Sequence, residues 1–373
     1  MMIDIQRIVV KIGTSTLTGG SRHLDLPRVM TLVQQITRLM AAGKQVIIVS
    51  SGAIAVGRDW MDHPDLPRTI PSKQMLSAVG QPRLMNAYEQ LFSIYNQKVA
   101  QVLLTREDIS DRRRYLNARS TLESLMGYGV VAIVNENDTV ATEEISIGDN
   151  DNLSALVANL VEADLLVLLT DQPGLFTADP KRKKHAELIT LIDTPEISRE
   201  IWEAAGGTDS ALGTGGMVTK LQAAEVARRS GTDVVIADGG ETDVLVRLAA
   251  GEAIGTRIRA EVNKVESRKR FMLAGAATRA AIYADEGAVA ALKRGGSLLP
   301  VGISAVQGKF SRGDIVRVKG ADEKPVAVGM VSYSSRDIQT IMRHRSREIK
   351  TLLGYAYGEE VIHHNNMTIL QEN

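Results

Sequence analysis

The sequence contains no cysteine, which removes disulfides, thiol nucleophiles and every thiolate metal site together. Aromatic residues are scarce at 4 %, so aliphatic side chains must build the core. Net charge is absent as well, because 44 basic residues stand against 44 acidic ones. That balance argues against a dedicated nucleic-acid coat or a polybasic membrane binder. No apolar run reaches the roughly 18–20 residues of a membrane span. The N-terminal MMIDIQRIVVK has no signal-peptide layout. A cytoplasmic protein is expected, with no membrane partner. What remains is ordinary globular composition, 44 % hydrophobic and 24 % charged, in 373 residues that suggest two domains.

Over the first 260 residues or so, short aliphatic runs alternate with helical patterns. Residues 8–12, 46–49, 102–104, 130–134, 165–169 and 234–237 read as strands. Each is nearly continuously apolar, as parallel strands buried on both faces are. Val29, Leu32, Val33, Ile36, Leu39 and Met40 recur at helical spacing, with Asp25 and Pro27 suited to the start and Gly43 to the end. A second stripe, Leu153, Leu156, Val157, Leu160 and Val161, follows a polar segment. Repeated strand–helix–strand units predict an open parallel α/β sheet, with a closed (β/α)8 barrel as the alternative. From Glu261 onward there are 17 basic against 12 acidic residues, and strand signals come in quick succession. GDIVRVKGADEKPVAVGMVSYSS reads as two strands around a turn, so a small β-rich domain is expected there.

Four glycine-bearing segments follow predicted strands, where open α/β sheets bind ligands. They are KIGTS from Lys11, SSGAIAVG from Ser50, TDQPGLFTADP from Thr170 and GTGGMVTK from Gly213. Glycines let backbone N–H groups approach phosphate oxygens, and a helix N-terminus adds partial positive charge. A Walker loop is excluded, because Arg58 and Asp59 follow the Gly52-to-Gly57 interval. Lys11 ends a buried strand, a costly place for an ammonium unless its head reaches solvent or an anion. Lys220 falls in the first turn of a helix predicted over residues 220–230, with Thr214 in the loop before it as a candidate cap. A cation there is disfavoured by the helix dipole unless an anion sits nearby. Either lysine alone is compatible with a solvated head; two on separate glycine loops are better explained by a polyphosphate between them. The NENDT run from Asn135 and the GDNDN run from Gly148 read as solvated loops and caps, or as groups that hold an amino acid. No histidine pair has H-E-x-x-H spacing, and His363 and His364 read as part of a disordered tail. No protein-held metal is expected.

VVKIGTSTLTGG, IIVSSGAIAVG, VNENDTVA, IGDNDNLSALVA, LLTDQPGLFTADP and LGTGGMVTKLQAA, in that order, resemble the motifs of the amino acid kinase family. The similarity is to the branch that acts on the glutamate side chain. YADEGAVAALKRGGSLLPVGISAVQGKFSRGDIVRV resembles a PUA domain. The likeness implies an open three-layer α-β-α fold with a mainly parallel sheet at residues 1–262, a connection at 263–278, a β-rich PUA domain at 279–358 and a tail at 359–373. It implies γ-phosphoryl transfer from ATP to the side-chain carboxylate of L-glutamate, the first step of proline biosynthesis. By the family pattern Lys11 and Lys220 flank the moving phosphoryl group and Asp151 orients both. Ser51, Asp138 and Asn150 match glutamate contacts. Lys11, Thr170, Asp171, Thr214, Gly215, Gly216, Met217, Val218, Thr219 and Lys220 match ATP contacts. Mg2+ bridging the phosphates, a homo-oligomer and feedback inhibition by proline are implied too. The competing readings are phosphorylation of aspartate or carbamate by a sister enzyme, and RNA binding through the PUA-like part. The small basic excess and the few aromatics speak against RNA.

Overall fold

The computed structural model describes residues 5–141, 150–178, 180, 183, 185–206 and 216–370. Two compact units result: Met1–Ser110 with Ala118–Asn263, and Asp111–Asn117 with Lys264–Asn373. Among the described residues no helix is long and apolar enough to cross a membrane.

The first unit is built on β1 (Arg7–Ile12), β2 (Gln45–Ser50), β3 (Val99–Leu104), β4 (Val131–Glu136) and β5 (Leu165–Thr170). A two-stranded ribbon of β6 (Leu175–Phe176) and β7 (Leu188–Ile189) follows, then β8 (Leu191–Ile192), β9 (Asp233–Asp238) and β10 (Thr256–Ile258). The main sheet runs β3-β4-β2-β1-β5-β9-β10-β8, open at both edges, so the closed barrel is excluded. Its first six strands are parallel, and β10 turns antiparallel to β9. Side-chain alternation divides it into two apolar faces. Ile8, Val10, Ile12, Val46, Ile48, Leu165, Val167 and Leu169 share one core with the helices Leu26–Ala41, Ile70–Ser93 and Val244–Ala249. Val9 and Lys11 face the other way, toward the helix Asn150–Leu160, which packs on Met217–Arg229. This is the three-layer α-β-α arrangement expected.

Local chemistry explains the helix ends. The Asp25 side chain accepts from the Arg28 N–H at 3.1 Å, and Pro27 sits in the first turn, where its missing N–H costs nothing. The helices Ala53–Trp60 and Ile70–Ser93 meet backbone to backbone at Gly57 and Gly80. A Cβ on Gly80 would stand 1.8 Å from the Ala53 carbonyl oxygen, so only glycine permits this approach. Chain direction from β1 diverges, one way through β2 and β4, the other through β5 and β9. At such a switch point the carboxyl ends of β1, β2 and β5 open a place for ligands.

The second unit carries β11 (Ala276–Ala284), β12 (Ile303–Gln307), β13 (Ile315–Lys319), β14 (Pro325–Met330) and β15 (Met367–Ile369), ordered β12-β11-β13-β14-β15. The predicted pair around residues 320–322 is the antiparallel β13–β14 hairpin. Ile282, Leu292, Leu298, Ile303, Val316, Val318, Tyr333 and Ile362 form its core. His363 and His364 do not lie in a disordered tail. Their rings stack at 4.1 Å, the His364 N–H donates to Ser297 Oγ, and the chain continues into β15, which pairs with β14. The tail reading failed because a three-residue edge strand is too short to show a period.

Candidate active site

Lys11 leaves the carboxyl end of β1 between Val49 of β2 and Leu168 of β5. Its Nζ lies 2.7 Å from Oδ1 of Asp151, in the first turn of the helix Asn150–Leu160. Lys220, from the facing helix Met217–Arg229, brings its Nζ to 3.3 Å from Oδ2 of the same carboxylate. Thr219 Oγ lies 2.7 Å from that oxygen and 2.8 Å from the Gly216 carbonyl, either of which can accept its proton. Lys11, Asp151 and Lys220 are 5 %, 1 % and 5 % exposed, so water screens none of them well. Burial by itself would raise the Asp151 carboxyl, but Lys11 and Lys220 outweigh it and hold the group below the usual carboxylate range. Burial lowers the Lys220 ammonium despite the pull of Asp151, and the neighbouring Lys11 charge adds to that effect. Two ammonium groups around one carboxylate make the triad cationic as a whole. Gly13 follows Lys11, and a Cβ there would come within 3.3 Å of the Lys11 Nζ.

A second, mainly uncharged cluster adjoins through Asn150, the residue before Asp151. Its Nδ2 group shares two N–H donors among the Ser50 carbonyl at 3.0 Å, Ser51 Oγ at 3.1 Å and Asn135 Oδ1 at 2.8 Å. Asn135 in turn donates to Gln81 Oε1 at 2.8 Å, and Gln81 donates to Gln101 Oε1 at 3.2 Å. Asp138, three residues past Asn135, accepts from Ser77 Oγ at 2.5 Å. Burial pushes the Asp138 carboxyl up, against the Ser77 hydrogen bond and the nearby Lys73 charge. Asp138 Oδ1 and Asn150 Oδ1 are buried and accept from none of the described residues. Buried acceptors left open in this way are costly unless a donor arrives. Ser77 and Gln81 were missed from sequence; their only signal is a four-residue spacing of polar side chains on a helix face that is otherwise buried.

Past β5, Thr170 Oγ1 donates to the exposed Asp171 carboxylate at 3.1 Å. The facing helix begins at Met217 with Gly216 as its cap, three residues earlier than predicted, and among the described residues no side chain caps it. The first N–H groups of such a helix suit an anion. Val218 lies half-buried in that turn. Thr214, the candidate cap, and Gly215 lie outside the described residues. A cavity of about 730 Å³ opens beside this helix start, lined by Gln172, Leu175, Phe176, Thr177, Glu200 and Met217, among others. Its size and mixed apolar walls suit a nucleoside-sized ligand. Of these, Met217 is expected from sequence as an ATP contact; Gln172, Leu175, Phe176 and Thr177 fall in the TDQPGLFTADP segment singled out there, which gives them no individual role.

The sequence profile of the amino acid kinase family matches residues 6–238, and that of the PUA domain matches residues 280–353. A protein named glutamate 5-kinase from Sodalis glossinidius is 52 % identical over 99 % of this chain and 100 % of its own length. One of the same name from Photobacterium profundum is 52 % identical over 98 % of this chain and 96 % of its own. A third, from Citrobacter koseri, is 50 % identical over 98 % of this chain and 99 % of its own. With an open α/β sheet, a separate PUA sheet and relatives aligned from end to end, the chain belongs to the amino acid kinase family, on its glutamate 5-kinase branch.

Proposed function

We propose that the protein transfers the γ-phosphoryl group of ATP to the side-chain carboxylate of L-glutamate, giving L-glutamyl 5-phosphate and ADP. The observation that carries this reading is the Lys11–Asp151–Lys220 triad, two ammonium groups fixed by one buried carboxylate at a switch point. A glutamate side-chain oxygen attacks the γ-phosphorus, and the bond from that phosphorus to the β,γ-bridging oxygen breaks. Charge spreads over the equatorial oxygens as it does so, and two preorganised cations offset it without reorganising. Lys11 and Lys220 take that role, and Asp151 is the positioning residue that keeps both heads in place.

The amino acid fits the neutral cluster. Its α-ammonium would donate to the open acceptors Asp138 Oδ1 and Asn150 Oδ1, and Ser51 Oγ would donate to its carboxylate. Thr170, Asp171 and the first turn from Gly216 to Lys220 take the nucleotide, with Thr214 and Gly215 completing the loop. Magnesium fits as the companion of the phosphates, because the central carboxylate Asp151 is already committed to two lysines. When bound, that ion would screen phosphate charge. A cytoplasmic homo-oligomer at the head of proline synthesis, inhibited by proline, completes the reading. Carbamate, which has no α-ammonium to offer, is disfavoured by the same acceptor pair.

ADP release with L-glutamate, L-aspartate, N-acetyl-L-glutamate and carbamate offered separately tests the substrate. Glutamate should dominate, and proline should suppress the rate. Equal rates with aspartate would overturn the assignment.

A further inference from the structure

His23, Asp59 and His63 form a cluster that the reaction does not use, and we propose that it binds a zinc-class divalent ion. Nδ1 of His23 lies 2.6 Å from Oδ1 of Asp59, and Nε2 of His63 lies 3.5 Å from the same oxygen. All three donor atoms fall within 4.8 Å of one another. Two imidazole nitrogens and one carboxylate oxygen are a donor set that zinc takes in open sites, with a fourth position left for water. Zinc bonds of about 2.0–2.1 Å in a tetrahedral frame place neighbouring donors roughly 3.3 Å apart. The spacing of His63 to Asp59 already meets this. His23 must retreat by less than about 1 Å to reach it, and with 71 % of its side chain exposed it is free to move. Magnesium and calcium, which demand oxygen ligands, are poorly served by this set.

The state of His63 supports the assignment independently. Its Nε2 has no solvent contact and no hydrogen-bond partner among the described residues. That nitrogen is aimed at a carboxylate with nothing else to satisfy it. Asp62 and His63 both adopt positive φ, 54° and 53°, and the His63 N–H donates to the Arg58 carbonyl at 2.9 Å. The chain thus folds back so that His63, past the end of the helix Ala53–Trp60, faces Asp59 in that helix's last turn. His23 arrives from the loop between the helices Thr14–Thr18 and Leu26–Ala41. A bound ion would tie that loop to the helix Ala53–Trp60, whose N-terminal end directly follows Ser51 and Gly52. No sequence motif announces the site, because its members do not share a recognised metal-ligand spacing.

The test uses the full chain, stripped with chelator and free of nucleotide, titrated with zinc chloride by calorimetry and with Co2+ by visible absorption. One ion per chain is expected. His23→Ala and Asp59→Asn should each weaken zinc binding by at least about 10-fold and abolish the intense low-coordination Co2+ band. His23 is the most exposed member, so its alanine variant should keep the native circular dichroism. A His363→Ala/His364→Ala double variant should bind as the parent does. Absence of binding at about 0.1 mM zinc, unchanged binding in both single variants, or loss of the ion in the double variant would each overturn the proposal.

Discussion

At the proposed phosphoryl end of the site, Lys11, Asp151 and Lys220 bring full charges together where almost no solvent reaches. At the proposed amino-acid end, Asn150, Asn135, Gln81 and Ser51 are neutral, and Asp138 carries charge near Lys73. The contrast suits the two tasks proposed for these ends. Phosphoryl transfer concentrates negative charge, which fixed cations stabilise most when water is excluded. An amino acid must instead be oriented, and a chain of amides sets direction at little desolvation cost. Asn150 and Asp151, adjacent at one helix N-terminus, couple the two ends.

The charged end should be the more fragile. Lys11→Ala and Lys220→Ala are each expected to cut kcat by at least about 10²-fold with unchanged far-UV circular dichroism, the scale of losing one preorganised donor. Asp151→Asn should do comparable damage and also lower the melting temperature, because two buried ammonium groups would face each other without their carboxylate. A variant of either lysine with more than about a third of the parent kcat would break the distinction between the ends, since that loss falls far short of the effect of a preorganised donor.

At the neutral end the loss should appear in KM. Asp138→Ala is expected to raise the glutamate KM by at least about 10-fold, the scale of a charge-assisted hydrogen bond, and to leave the ATP KM within a few-fold. A pH series sharpens this. Burial raises the Asp138 carboxyl, and only its ionised form receives an ammonium, so the glutamate KM should rise as pH falls through that raised value. The ATP KM should not follow, and in Asp138→Asn the acid dependence should vanish. If both KM values rose together, Asp138 would be a general structural residue and the assignment would fall.

Two smaller effects probe the scaffold. Gly80→Ala would force a Cβ to 1.8 Å from the Ala53 carbonyl, and thermal unfolding should register a loss of about 1–3 kcal/mol. Because Ala53 stands two residues after Ser51, the glutamate KM should drift upward as well. Gln81→Leu removes the acceptor that orients Asn135 and should raise the glutamate KM only a few-fold, a loss of about 1 kcal/mol. A kcat loss larger than the KM change in this variant would show the two ends to be less separate than described.

The same contrast governs what could be read from the sequence. Lys11 was visible because an ammonium in an aliphatic strand violates a burial rule, and Lys220 because a cation near a helix start opposes the dipole. The six parallel strands were visible through continuous apolar runs, and Asp25 through its capping chemistry. Ser77, Gln81 and Asn135 break no such rule one at a time. Their meaning lies in hydrogen bonds across 54 and 61 residues of chain, which no local period records. The specific roles of Asp151, Asp138 and Asn150 came from family resemblance rather than from spacing. The strands β8 and β15 are too short to show a period, and the helix carrying Lys220 starts earlier than its apolar pattern suggested.

The central claim is that charge at one end and hydrogen-bond geometry at the other act on a single glutamate phosphorylation. It is tested most directly by glutamate-dependent ADP release at saturating ATP, measured for the full chain, Lys220→Ala and Asp138→Ala. The account predicts a kcat fall of at least about 10²-fold in the lysine variant and a KM-dominated loss in the aspartate variant. It would be contradicted if the parent chain released no ADP with glutamate, or if the two variants lost kcat and KM in the same proportion.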